Sequence, residues 1–130
     1  HNPKSRCNLK YQTLPFSIAL PISLIVVGLV GIGLSIPMLL NRIPRNQVYG
    51  LRTKLTLSSD EIWYPANRFA AKLLIAWGVI NVLIAIPALR MLPLSETAQF
   101  MLCIPPLSIV AICLFGILRV NKKYGRHTTE

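Results

Sequence analysis

Charge is excluded from three long stretches of this chain. No Asp, Glu, Lys or Arg lies between Lys10 and Arg42, between Lys72 and Arg90, or between Glu96 and Arg119, gaps of 31, 17 and 22 residues. A bilayer core about 30 Å thick is crossed by about 20 apolar residues of helix. The whole chain is 53% hydrophobic and 14% charged, against about 25% charged in an average soluble protein. Neither an ordinary soluble surface nor a disordered chain, which is low in hydrophobicity, fits that balance. The expected fold is an all-α integral membrane protein, a single membrane domain over residues 1–130. Its spans fall at about 16–40, 69–89 and 98–118, joined by a polar loop at 41–68 and a short turn at 90–97. The first stretch is longer than the 7–15-residue core of a signal peptide and is expected to stay in the mature protein.

The net charge of +10 would point to nucleic acid in a soluble domain. In a membrane protein, short basic loops set orientation and meet anionic headgroups, so lipid is the expected partner and nucleic acid is not. Cys7, Cys103 and Cys113 form no paired spacing that would suggest a disulfide framework or a zinc site.

Within the first span, Gly28, Gly31 and Ser35 recur at i, i+3 and i+7, a small-residue face on which another helix can approach closely. The glycines have no preceding strand and no polar surroundings, so they make no phosphate loop. Pro37 is expected to kink the end of this span. In the second span Asn81 is the one strongly polar side chain at depth. An interhelical hydrogen bond, worth about 0.6–2 kcal/mol in a membrane, is its expected role. Pro105 and Pro106 each remove a backbone donor from the third span and are expected to bend it or break its first turns; a break of this kind also lines binding sites in some transporters.

The 41–68 loop carries the remaining information. Gly50 supplies a turn. Ser58 followed by Glu61 reads as a capping box, with Asp60 also in the first turn of a helix that starts near Ser59. Pro65 is expected to split or kink that helix, leaving a first part along the membrane surface with Trp63 and Tyr64 at headgroup level. The arginines have two readings: they enforce topology, or Arg45, Arg52 and Arg68 hold phosphate or carboxylate groups of lipids or an acidic partner. With three spans, one end holds 4 Lys and Arg and the end with the loop and C-terminal tail holds 10. Positive charge prefers the cytoplasm, so the expected orientation puts the N-terminus outside and the loop and C-terminus inside.

Catalysis has few parts to work with. The acids are Asp60, Glu61, Glu96 and Glu130, and the histidines are His1 and His127, none of them within a span. A proton relay, a metal site or a catalytic base inside the membrane is therefore not expected, and no cofactor is implied.

The run Ile43-Pro44-Arg45-Asn46, then Tyr49-Gly50-Leu51-Arg52-Thr53, Thr56, Asp60-Glu61, Trp63 and Ala66-Asn67-Arg68 resembles the signature of the SdpI family. Its founding members are bacterial membrane immunity proteins that act against a secreted peptide toxin. The resemblance implies a bacterial inner-membrane location and a short, three-span form of the family, without the additional N-terminal half of the founding members. Leu51 stands where those members often carry an aromatic residue, and Pro65 interrupts their helix pattern. It also implies a partner-binding role for Asn46, Tyr49, Gly50, Arg52, Thr53, Trp63, Asn67 and Arg68. Arg52 is expected to fold back onto helix-end carbonyls, a headgroup or Asp60 and Glu61. The implied function is protection against a peptide toxin, or binding of a regulator, through the loop. Two alternatives from other classes stand beside it: an accessory subunit of a larger membrane complex, and a lipid-binding or transport module around Asn81 and Pro105-Pro106.

Overall fold

The computed structural model describes the backbone of residues 3–92 and 94–125 and side chains from Ile18 onward. Three helices account for most of it: α1 (Pro3–Leu39), α2 (Asp60–Arg90) and α3 (Glu96–Tyr124). All three contain membrane-length apolar segments, at Ile18–Leu39 in α1 and along α2 and α3, and no strand occurs among the described residues. The protein is an all-α, multi-pass membrane protein. Lys4, Arg6, Lys10 and Arg126, which enter the expected orientation, lie outside the described side chains.

Large apolar side chains face outward along every span, including Ile22, Val26 and Leu29 on α1, Leu83 on α2, and Phe100, Leu107, Leu114 and Leu118 on α3. In water so much exposed apolar surface would drive association; against lipid tails it is the ordinary outer face of a bundle.

Because lipid tails are as apolar as the helices, association depends on close packing rather than on hydrophobicity. The α1–α2 pair achieves this through glycine. A Cβ built on Gly28 would lie 2.7 Å from the Gly78 carbonyl oxygen, and one on Gly78 would lie 2.5 Å from the Gly28 carbonyl oxygen. The backbones touch where both side chains are absent. One turn along, the ring of Trp77 covers Gly31, with Cζ3 3.1 Å from a Cβ built there. Ser35 is fully buried and returns its hydroxyl to the Gly31 carbonyl at 2.6 Å. Helix α3 packs more loosely, chiefly against α2. Trp77 Nε1 donates both to the Pro105 carbonyl and to Ser108 Oγ, each at 3.0 Å. Leu24, Ala85, Ala88 and Leu102 join the three helices toward the opposite end from the loop.

Four local expectations are corrected. Helix α2 runs unbroken through Pro65, so no separate surface helix exists among the described residues. Pro65 removes only the donor that would meet the Glu61 carbonyl near the helix start, where proline costs less than in mid-helix. The capping box does not form: Ser59 is the N-cap and makes no side-chain cap bond. Ser58 Oγ instead donates to the Leu55 carbonyl at 2.7 Å, within the turn before the helix. Asn81 Nδ2 donates to Trp77 O of its own helix at 2.8 Å, not across to a neighbour, and its Oδ1 has no hydrogen-bond partner among the described residues. Helix α3 continues through Pro105 and Pro106, so its first turns are not broken there, and the Pro105 carbonyl is taken up by Trp77 and by Ser108 Oγ, the latter at 2.6 Å.

Candidate functional site

The loop begins where α1 stops. Asn41 adopts a φ of 55°, and two bonds close the helix end, Asn41 N to Met38 O at 3.3 Å and Arg42 N to Pro37 O at 3.0 Å. This is a Schellman termination with Asn in the left-handed position usually held by glycine. Pro37 lies within α1 and supplies an acceptor to the stop.

From there the chain folds on its own side chains. Asn46 Oδ1 accepts from the amides of Val48 and Tyr49 at 2.9 and 2.8 Å, while its Nδ2 donates to Pro44 O at 2.7 Å. The Tyr49 hydroxyl donates to the Leu34 carbonyl of α1, and burial raises its pKa above the usual value of 10.0. Gly50 turns the chain at a φ of 105°, which a residue with a side chain rarely adopts. This brings Leu51 N to Asn67 Oδ1 at 2.6 Å. Asn67, 4% exposed, uses its Nδ2 on Trp63 O at 2.9 Å.

Trp63 is 1% exposed and donates Nε1 to Ile43 O at 3.0 Å. It is thus the plug under the loop and not a headgroup anchor, because the loop folds over it. Beside it, fully buried Thr56 accepts from Thr53 N at 2.8 Å and donates to Leu51 O at 2.8 Å, while Thr53 Oγ1 accepts from Thr56 N at 3.1 Å. The buried polar side chains in this part of the loop, Thr56, Trp63 and Asn67, are all answered within the loop or by α2, as a low-dielectric setting demands.

The charged groups are arranged differently. Arg52 is exposed, and its Nη1 donates to the Gln47 carbonyl, a loop carbonyl rather than a helix end or an acid. It is Arg45 that meets Asp60, with Nε 3.5 Å from Oδ1, and that donates to Leu57 O at 3.1 Å. The pair is open to water, so screening leaves it little weight in stability. Arg42, Lys54 and Arg68 are exposed.

Of the sequence-derived site residues, Asn46, Tyr49, Gly50, Thr53, Trp63 and Asn67 thus come together as one internal framework. Arg52 sits at its edge, Arg68 lies outside it on α2, and Gly28, Gly31, Ser35 and Asn81 belong to the α1–α2 crossing. Sequence reasoning passed over Gly78 and Trp77 as site residues, although Gly78 is three residues from Asn81 and on the same face of α2. Among the described residues, no group of three His, Cys, Asp or Glu side chains is placed to hold a metal.

No solved structure matches the chain. The chain is 40% identical over 60 residues to a protein of Bacillus subtilis (strain 168) whose printed name is "Uncharacterized protein YfhL". The match takes in 42% of this chain and 54% of that protein, so the chain spans about half the length of the curated relative it matches. The profile of the SdpI/YfhL protein family matches residues 42–118, from the first residue after the left-handed Asn41 to the last apolar turn of α3. With more than half of its length matched, the chain belongs to the SdpI/YfhL protein family.

Proposed function

We propose that this protein protects the membrane against a peptide toxin in the manner its resemblance to SdpI-type immunity proteins implies, and that it does so by binding a regulator through the 41–68 loop. The observation that supports this reading is the division of labour in the loop. Neutral polar side chains are consumed internally, locked by the Leu51–Asn67 bond at 2.6 Å, while Arg42, Arg52, Lys54 and Arg68 remain exposed. A rigid backbone that presents guanidinium groups recognises carboxylates at fixed spacing, which is what an acidic face on a regulator would supply.

The distribution of Lys and Arg, 4 at one end and 10 at the other, favours a cytoplasmic loop. A loop on that side favours docking of a cytoplasmic regulator over capture of a toxin arriving from outside. The role is one of binding, not of catalysis.

The test is survival of cells with and without the protein when challenged with a panel of secreted bacterial peptide toxins, comparing wild type, Arg52→Ala and Lys54→Ala. Protection by wild type that Arg52→Ala weakens and Lys54→Ala spares is the expected result. No protection by wild type overturns the immunity reading, and equal weakening by both variants reduces the loop to a generic basic patch. Gentle-detergent purification with mass spectrometry completes the test, since a stoichiometric set of larger membrane subunits would make the protein an accessory subunit instead.

A further inference from the structure

At the end of the bundle that carries the loop, the start of α2 and the end of α3 leave a cleft of about 180 Å³ between them. Its floor is apolar, formed by Pro65, Ala66 and Phe69 of α2 and Val120 of α3, and its rim carries Arg119 and Lys123. Three features make this more than a gap between helices. The floor continues toward the bilayer core through Phe115, whose ring lies 6.5 Å from that of Phe69 at 45° and which is otherwise exposed on the surface of the bundle. The cations sit where the charge-free stretch of α3 ends, at the level where headgroups begin. On the far side of Pro65 and Phe69, a second cleft of about 220 Å³ carries two more cations, Arg68 and Lys72. No carboxylate lines either cleft among the described residues.

We propose that the α2–α3 cleft binds an anionic phospholipid, with its phosphate on Arg119 and Lys123 and its acyl chains against Phe69 and Phe115. Basic pockets between membrane helices hold phospholipid headgroups in this way. A free phosphate would leave the apolar floor and Phe115 without a partner, and an acidic peptide would have to lay polar backbone against them. The site is independent of the immunity reading: it uses neither the loop framework nor any residue of the survival test.

The experiment uses the full chain in micelles containing phosphatidylglycerol and phosphatidylcholine, with lipid retention read by native mass spectrometry. Wild type should retain phosphatidylglycerol in preference to phosphatidylcholine. At about 1 kcal/mol per cation, or about fivefold in affinity, Arg119→Gln combined with Lys123→Gln should weaken phosphatidylglycerol retention by about 25-fold and leave phosphatidylcholine unchanged. Arg42→Gln combined with Lys54→Gln removes the same charge from the same end and should change retention by less than about threefold if the cleft is specific. Equal loss in both pairs overturns the proposal, because the attraction is then a general field. Displacement of the lipid by inorganic phosphate alone, or by an acidic peptide alone, also overturns it. A photoactivatable phosphatidylglycerol on wild type gives a readout that needs no variant to fold: adducts should map to residues 65–69 and 115–124, and adducts spread evenly along α1 would refute the site.

Discussion

Replacing Gly50 by alanine concentrates the consequences of the loop's design at one atom. The new Cβ would collide with Asn67 Oδ1 and come within 3.1 Å of Asn67 Cγ and 3.5 Å of Trp63 Cη2. Asn67 has no room to yield, because its Oδ1 is held by Leu51 N and its Nδ2 by Trp63 O. Two costs follow. A side chain at a φ of 105° is strained by about 1–3 kcal/mol. Pushing Oδ1 away leaves a Leu51 donor and a buried amide oxygen unmatched, about 1–3 kcal/mol more. The sum, about 2–6 kcal/mol, falls on opening of the loop and not on the bundle, so hydrogen exchange at the Leu51 amide is the assay of choice. At 1.4 kcal/mol per decade, Gly50→Ala should accelerate that exchange by about 30-fold or more. In an Asn67→Ala background the collision is gone, and the same substitution should retain only the backbone strain. Exchange at Leu51 within about threefold of wild type in Gly50→Ala, or an undiminished effect in the Asn67→Ala background, would refute the reasoning.

Three further expectations rest on other parts of the molecule. Gly28→Ala should loosen the α1–α2 pair by about 1–3 kcal/mol, whereas Gly33→Ala, with nothing within 4 Å of its added methyl, should be neutral or stabilising; unfolding by SDS titration in mixed micelles separates the two. Trp77→Phe keeps an aromatic ring at this position but loses the donor shared by Pro105 O and Ser108 Oγ, and should cost about 0.6–2 kcal/mol in the same titration, an effect that disappears if α3 is held by lipid alone. Burial raises the Tyr49 pKa, so the fold favours the neutral phenol. Its stabilising contribution is complete below the ordinary value of 10.0 and lost as pH rises through the raised one; an ultraviolet titration should show one tyrosine ionising late, and that late step should vanish in Tyr49→Phe.

What the sequence disclosed, and what it hid, follows from the range of the interactions. The spans were legible because exclusion of charge over bilayer lengths leaves few alternatives, and the turn at Gly50 because glycine beside polar residues marks one locally. Gly28, Gly31 and Ser35 fall on one face by helical period alone. The surface that meets them includes Gly78, 50 positions from Gly28 in the chain, and pairing across that distance leaves no local mark. Trp63 was misread for the same reason. An aromatic residue near a span boundary fits an interfacial belt as well as a buried plug, and its partner, the Ile43 carbonyl, lies 20 residues earlier. Asn81 illustrates the converse. A polar side chain in a span was expected to reach outward to a neighbour, yet the carbonyl one turn back in its own helix was the nearer partner. Its Oδ1 is left buried without a hydrogen-bond partner.

A loop at a membrane boundary faces two requirements that conflict in most proteins. Its backbone must be satisfied without reliable water, yet it must leave groups free to meet a partner. Here the conflict is resolved by residue type. Asn46, Thr53, Thr56 and Asn67 answer the backbone, being short side chains whose donors and acceptors sit close to the main chain. The long cationic side chains, whose charge would be costly to bury, are left outside. Under the proposed function, the neutral framework sets the spacing of the cations and does not itself touch the partner. It follows that Asn67→Ala, which changes no charge and lies 4% exposed, should impair partner binding as Arg52→Ala does, while the two differ in salt dependence. Removing the arginine lowers the sensitivity of binding to ionic strength. Removing the asparagine leaves the charges in place and that sensitivity intact, because only their arrangement has been lost.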